Sequence, residues 1–421
     1  MTAADPRPLV VLIAPDSFKG SLSSVEVARA LAAGWARARP RDEILLAPLA
    51  DGGEGTTIAI EAAGGWTWQV ADATDPIGRA ISARWLLSSD GARAIIELAA
   101  ASGLSRLAAA DYDPLGATTR GTGELIVAAL DAGVRDATLG IGGSATNDGG
   151  AGILRALGGR VSDAADDPVE VDLAGLDPRL AETCLRIACD VSNPLLGPHG
   201  AAATYGPQKG ATPSDVVELD RRLGRYADAL EHALGRHERD TPGAGAAGGT
   251  GFGLLCLTDR LAGLELVPGV DVVMAATDFD GKLARADLVI TGEGRIDAQT
   301  AYGKTALGVA RRAATAGIAC IAVGGGVEPE GIEALRPLGA VVVSVVERPQ
   351  TVEEAMAAGS APLERCGERL ARLSAIVERP KRRIPGMDKG KVVIHADFDD
   401  PLPEFDPEYM HPEDPMRDLL K

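Results

Sequence analysis

Leu9-Val10-Val11-Leu12-Ile13-Ala14, followed at once by Pro15-Asp16-Ser17-Phe18-Lys19-Gly20, is the stretch on which the fold turns. Six consecutive apolar residues with no polar alternation, too few for a buried helix, predict a strand covered on both faces. Next comes a turn carrying an acid, a hydroxyl and a lysine. A helix then opens with the capping box Ser23-x-x-Glu26 and sets Val25, Ala28, Leu31 and Ala32 on one face. The same order recurs along the chain. Ile44–Leu46 leads into Asp51-Gly52-Gly53-Glu54-Gly55, Ala94–Leu98 is a further strand, and Ala137–Ile141 precedes a second Gly loop. Ala286–Ile290, Ile318–Ala322 and Ala340–Ser344 repeat the pattern between helical stretches. Continuous apolar strands alternating with helices predict α/β layers with mainly parallel sheets. In such folds ligands sit at the carboxyl ends of the strands, where this chain places its Gly, Asp, Glu and Lys residues.

The chain has 421 residues, 60 acidic and 42 basic, for a net charge of −18. That charge disfavours nucleic-acid binding by bulk electrostatics, and 46% hydrophobic residues are enough to fill the cores of two or three domains. The 52 Gly have no three-residue period and fall in clusters, which suggests ligand-holding loops. Five Cys without a C-x-x-C pair, sitting among apolar residues, read as reduced buried thiols. No apolar run is long enough for a membrane span and residues 1–8 lack a signal-peptide pattern, so the expected compartment is the cytoplasm. Five scattered His argue against zinc or histidine-based chemistry.

Four segments combine Gly with charged or hydroxyl side chains: Asp16–Gly20, Asp51–Thr56, Gly140–Gly150 and Gly292–Asp297. Gly lets backbone N–H groups converge on an anion, and sparse carboxylates beside them suit Mg²⁺ with phosphate, the signature of phosphoryl transfer. Two nucleotide motifs are tested against this. Gly303-Lys304-Thr305 resembles the end of a P-loop, but Ala298 stands where the first Gly is required. Gly140-x-Gly142-x-x-Ala145, with Asp163 at ribose-acid distance, formally fits a dinucleotide fingerprint; its interior, Ser144–Asp148, is more polar than pyrophosphate packing needs.

Seven segments, in order, closely resemble the class I bacterial glycerate kinases: Ala14–Gly20, Ala50–Thr56, Gly140–Gly150, Cys189–Pro198, Tyr205–Gly210, Gly245–Gly253 and Ala286–Asp297. The resemblance spans residues 8–377. It implies two α/β domains, one Rossmann- or flavodoxin-like and the second inserted at roughly residues 50–290, with the active site in the cleft between them. It also implies transfer of the γ-phosphoryl group of ATP to D-glycerate, giving 2-phosphoglycerate, with Mg²⁺. A kinase for another small hydroxy acid would use the same loops, and a homo-oligomer is left open.

The residues expected to carry that chemistry follow from their loops. Lys19, Asp51, Asp190 and Lys209 are the catalytic candidates, with Asp190 the proton acceptor or a metal ligand, Asp148 a second Mg²⁺ ligand, and Lys209 a phosphate clamp. Binding of substrate or nucleotide is assigned to Asp16, Ser17, Gly52, Gly53, Glu54, Gly142, Gly143, Ser144, Thr146, Asn147, Asn193, Gly248, Gly249, Gly251, Glu293, Asp297 and Lys304. Plainer roles compete with these: Asp148 as the cap of the helix through Ile153, Glu54 as a helix cap, Asp190 as a turn former, and Glu293, Arg295, Asp297 and Lys304 as an ion-pair network.

Composition changes after Val377. Residues 378–421 open basic at Arg379–Arg383, turn acidic through Asp397–Asp418 and hold seven Pro, which predicts an extended or disordered appendage. Gly386–Leu402 resembles the C-terminal segment of small bacterial antitoxins, which implies a toxin-like protein partner for the tail.

Overall fold

The opening strand takes parallel partners on both sides. Val11 lies in register with Leu288 on one flank and with Ile44 on the other. The computed structural model describes residues 7–50, 52–53, 55–162, 168–302 and 305–374. Among these the strands are β1 (Val10–Pro15), β2 (Glu43–Leu46), β3 (Trp66–Thr74), β4 (Ala80–Ser88), β5 (Arg93–Glu97), β6 (Asp136–Gly140), β7 (Arg160–Val161), β8 (Val171–Asp172), β9 (Cys184–Ala188), β10 (Gly263–Val267), β11 (Leu288–Ile296), β12 (Ala319–Val327) and β13 (Val341–Ser344).

The first sheet runs β13-β12-β11-β1-β2, parallel throughout. With its strands renumbered along the sheet, this is the flavodoxin-like order 2-1-3-4-5, whose ligand crevice opens where the order reverses, between β1 and β11. The second sheet runs β10-β9-β6-β5-β4-β3. Its first four strands are parallel, and β3 and β4 add an antiparallel hairpin. Every strand of the second sheet falls between β2 and β11 in the chain. The hairpin was not singled out from sequence, although Trp66, Trp68 and Val70 alternate with polar residues before the turn Asp75–Arg79.

Val11, Leu12, Ile13 and Ala14 are all fully buried, as a strand covered on both faces requires. Leu12 and Ala14 pack into a core with Val289, Cys320 and Ala322; that core also takes Leu86, Ile95 and Trp66 from the second sheet. Val11 and Ile13 point the other way, against Val27, Leu31, Trp35 and Leu370. Each such side chain contributes about 1.5–3 kcal/mol. The helix Ser24–Ala38 carries the expected Ser23/Glu26 capping box. Its buried stripe is Val27, Ala28, Leu31 and Trp35, so Val25 and Ala32 lie at the edge of that face.

β11 is longer than the apolar run that predicts it and continues through Ile296. Glu293 therefore lies on a strand rather than in a turn. Its register partner is Gly324 of Gly324-Gly325-Gly326, a backbone without side chains that lets two strands pair past their apolar parts. All five cysteines are unpaired; Cys256, Cys320 and Cys366 are buried, Cys184 and Cys189 partly so. No helix among the described residues is long and apolar enough to cross a membrane. The described residues end at Ser374, and the appendage, including its antitoxin-like segment, lies outside them.

Candidate active site

Asp16 closes β1 at the point where the strand order reverses. Its N–H donates to the carbonyl of Gly292 midway along β11 (2.7 Å), so the end of β1 is tied to β11 where the Gly292–Asp297 segment begins. The buried carboxylate accepts from the Ser17 N–H (2.6 Å) and the Thr305 hydroxyl (2.6 Å), where the helix Thr305–Ala316 begins. Lys19, two residues beyond Ser17, is exposed. Across the crevice Glu293 is buried and accepts from the Thr300 hydroxyl (3.0 Å), while Thr300 Oγ1 accepts from the Asp297 N–H (3.1 Å). Arg295 turns outward to Glu328 and lies 3.6 Å from Asp297. Arg295 thus pairs with Glu328 and lies near Asp297, while Glu293 accepts from the Thr300 hydroxyl inside the fold.

The loop after β2 reaches the second sheet. A Cβ on Gly52 would lie 2.7 Å from Gly269 Cα and 3.2 Å from Ala188 Cβ, at the carboxyl end of β9. A Cβ on Gly142 would lie 2.8 Å from Gly53 Cα. Two glycine loops, one from each sheet, thus touch backbone to backbone, and any side chain at the contact would part them. Just past it, Glu97 at the end of β5 accepts from both the Thr57 N–H (2.7 Å) and the Thr57 hydroxyl (3.0 Å), anchoring the helix Thr56–Ala62. The carboxyl ends of β1, β2, β5, β6, β9 and β11 are brought to one region in this way. Asp51, Glu54 and Lys304, assigned to the same region from sequence, lie outside the described residues, as does Asp163.

The Gly140–Gly150 loop is turned differently from its predicted orientation. Ser144, Thr146 and Asn147 are buried, and only Gly142 and Gly143 stay accessible near Gly53. The reason is Lys209, itself 1% exposed. Its Nζ donates to Ser144 Oγ (2.8 Å), Thr146 O (2.5 Å) and Asn147 Oδ1 (3.5 Å). A lysine spent on three internal acceptors does not present an open cation to phosphate, so the clamp geometry expected for Lys209 is absent. Asp148 is likewise consumed. One oxygen accepts from Thr118 Oγ1, Thr119 N, Thr119 Oγ1 and Gly152 N at 2.9–3.2 Å, and the other from Gly150 N at 3.1 Å. The bond from Gly152 N, in the first turn of the helix Ala151–Ala156, gives Asp148 a helix-end role that competes with the Mg²⁺ ligation expected of it. The dinucleotide alternative also fails here, because the helix after the loop starts only at Ala151, well past Ala145.

Asp190 emerges just after β9, exposed, with Oδ1 accepting from the Gly269 N–H (3.0 Å). It therefore stands beside Gly52, because Gly269 touches both. Asn193 is engaged on both ends of its amide, donating to His199 O (2.8 Å) and accepting from the Tyr205 hydroxyl (2.8 Å). It orders its own loop instead of reaching outward. Gly248, Gly249 and Gly251 are buried. A Cβ on Gly248, whose φ is +68°, would sit 1.9 Å from Thr146 O. Gly248 and Gly249 back the Gly140–Gly150 loop, and Gly251 packs against Gly243. Sequence reasoning missed Glu97, Thr300 and Thr305. Glu97 had a signal, a single acid closing the apolar run Ala94–Ile96; the two threonines sit in helical turns and had none.

Parallel sheets meeting at glycine-rich strand ends, with a buried acid and an exposed lysine at the reversal of strand order, define an α/β enzyme of the phosphotransferase class. Residues 11–375 match the model of the glycerate kinase family, and the chain belongs to that family. It is 43% identical over 377 residues to a glycerate kinase of Halalkalibacterium halodurans, covering 87% of this chain and 98% of that one. It is 46% identical over 311 residues to the glycerate 2-kinase of Escherichia coli K12, covering 71% and 81%. A crystal structure from Salmonella typhimurium LT2, provisionally assigned as glycerate kinase 2, superposes with a TM-score of 0.76 at 41% identity, covering 88% of this chain and 99% of that one.

Proposed function

We propose that the protein is an ATP-dependent glycerate kinase that transfers the γ-phosphoryl group to the 2-hydroxyl of D-glycerate, releasing ADP. The observation that carries the reading is the contact of Gly52 and Gly53 with Gly142, Ala188 and Gly269, which gathers the strand ends of both sheets around one crevice. The two sheets then act as two domains, the second inserted between β2 and β11, with the site in the cleft between them. A reducing cytoplasm accords with five unpaired cysteines.

Among the described residues no three His, Cys, Asp or Glu side chains cluster to hold a metal. Mg²⁺ in phosphoryl transfer needs only one or two carboxylates beside phosphate oxygens. Asp16, just past β1, fits that donor set, and Asp51 extends it from sequence. Mg²⁺ there would neutralise charge on the phosphates and hold them in line. The chain's own part is positioning and electrostatics. Backbone at Gly52, Gly53, Gly142 and Gly143 leaves space for phosphate oxygens to approach closely. Lys19 offsets negative charge that develops on the transferring group. Asp190, oriented by the Gly269 N–H, accepts the proton of the attacking hydroxyl as the new O–P bond forms and the bond to the departing ADP oxygen breaks. Purified protein with MgATP and D-glycerate, with the product identified by NMR, tests the reading. 2-Phosphoglycerate is expected, 3-phosphoglycerate would correct the position of transfer, and no phosphoglycerate would overturn the reading.

A further inference from the structure

Lys209 is among the largest fully buried side chains of the protein, and no carboxylate within ion-pair distance is found for it among the described residues. Burying an ammonium without a paired charge is costly, and its hydrogen bonds to three internal acceptors offset only part of that cost. Stability alone is therefore a weak reason for a lysine here. Its surroundings suggest a further one. The turn Pro207–Lys209 is closed by the Lys209 N–H to Gly206 O (2.9 Å) and ended by Gly210 at φ +92°, so the base of the side chain is fixed. All three acceptors of its Nζ belong to one short segment, Ser144–Asn147, 62 to 65 residues earlier in the chain. The Asn147 amide nitrogen is committed to Pro114 O (3.1 Å), which fixes Oδ1 toward the lysine. Thr146 Oγ1 is buried without a hydrogen-bond partner among the described residues, so the segment already carries one unmet polar group.

We infer that Lys209 is a positioning residue for phosphoryl transfer: its buried ammonium turns Ser144, Thr146 and Asn147 inward, so that Gly142 and Gly143 are the part of the loop that meets Gly53 and the substrate. The inference rests on the kinase reading above. Without the ammonium, Ser144 Oγ, Thr146 O and Asn147 Oδ1 lose their shared donor. All three are then left to seek water, which the loop reaches by swinging outward into the crevice. A displacement of about 1 Å at a positioning element costs on the order of 100-fold in rate.

The test compares wild type, Lys209→Met, which keeps the length and removes the charge, and Ser144→Ala, which removes one acceptor on a small side chain. Three readouts are taken: kcat with the KM values for ATP and D-glycerate, thermal stability, and amide hydrogen exchange of residues 141–150. Lys209→Met is expected to keep or raise Tm, lose about 100-fold in kcat with both KM values within about threefold, and exchange faster in that loop. Ser144→Ala should move in the same direction by about fivefold. If Lys209→Met folds with kcat within twofold of wild type, the inference is overturned. If it does not fold, Ser144→Ala decides, and wild-type kcat there overturns it. Unchanged exchange of residues 141–150 in a folded variant overturns it whatever the turnover. Wild type without turnover on D-glycerate would instead defeat the kinase reading, a separate result from loop protection.

Discussion

At the scale of single residues, the acids and lysines of the site divide by what already holds them. Asp148 and Lys209 direct their polar atoms into the fold, whereas Asp190 is exposed beside the Gly52–Gly269 contact and Lys19 is exposed beyond the end of β1. Asp190→Asn keeps the contact with the Gly269 N–H but cannot take a proton, and should lower kcat by about 100- to 10,000-fold. Lys19→Ala should lower kcat/KM by about 100-fold or more, with Tm unchanged. Steady-state kinetics of either variant at wild-type level would remove its assigned role. Lys209 also leaves a signature in stability. Burial pulls its ammonium down to about 7, with the charge of Asp148 opposing, whereas an unfolded lysine titrates near 10.4. The unfolded chain binds more protons between those values, so stability rises as pH climbs from about 7 to about 10. Denaturant unfolding at pH 7 and 9.5 should show wild type gaining on Lys209→Met over that interval. Candidate residues were legible in the sequence because acids, hydroxyls and lysines crowd into glycine turns. Their direction was not, since whether Ser144 faces in or out depends on a lysine 65 residues away.

At the scale of elements, the strands were readable because parallel strands buried on both faces are written as unbroken apolar runs. The same rule hid the end of β11, where Gly292 to Arg295 interrupt the run while the backbone pairing continues to Gly326 and Val327. It also gave no hint of which glycine clusters face a ligand and which face other backbone. Gly248 illustrates the second kind. Gly248→Ala would drive a methyl into Thr146 O from a left-handed backbone, and should cost about 2–4 kcal/mol while disordering the Gly140–Gly150 loop. Chemical denaturation and assay of that variant would show stability and turnover falling together. Ser23→Ala, far from the site, should cost about 1 kcal/mol through the lost helix cap and leave kcat untouched.

At the scale of the whole molecule, the flavodoxin-like order predicts a crevice where β1 meets β11, and the contact of Gly52 and Gly53 with Gly142 and Gly269 brings strand ends of the second sheet toward it. The family match ends at residue 375, so deleting residues 376–421 should leave kcat and both KM values at wild-type levels. A loss of turnover on deletion would make the appendage part of the enzyme. The interleaving of the two sheets has a further consequence in time. Strand β1 must find β11 across 277 positions, whereas every strand of the six-stranded sheet is complete by Val267. As the chain leaves the ribosome, the six-stranded sheet can assemble first, while the amino-terminal strands β1 and β2 wait with an apolar edge uncovered until Leu288 emerges.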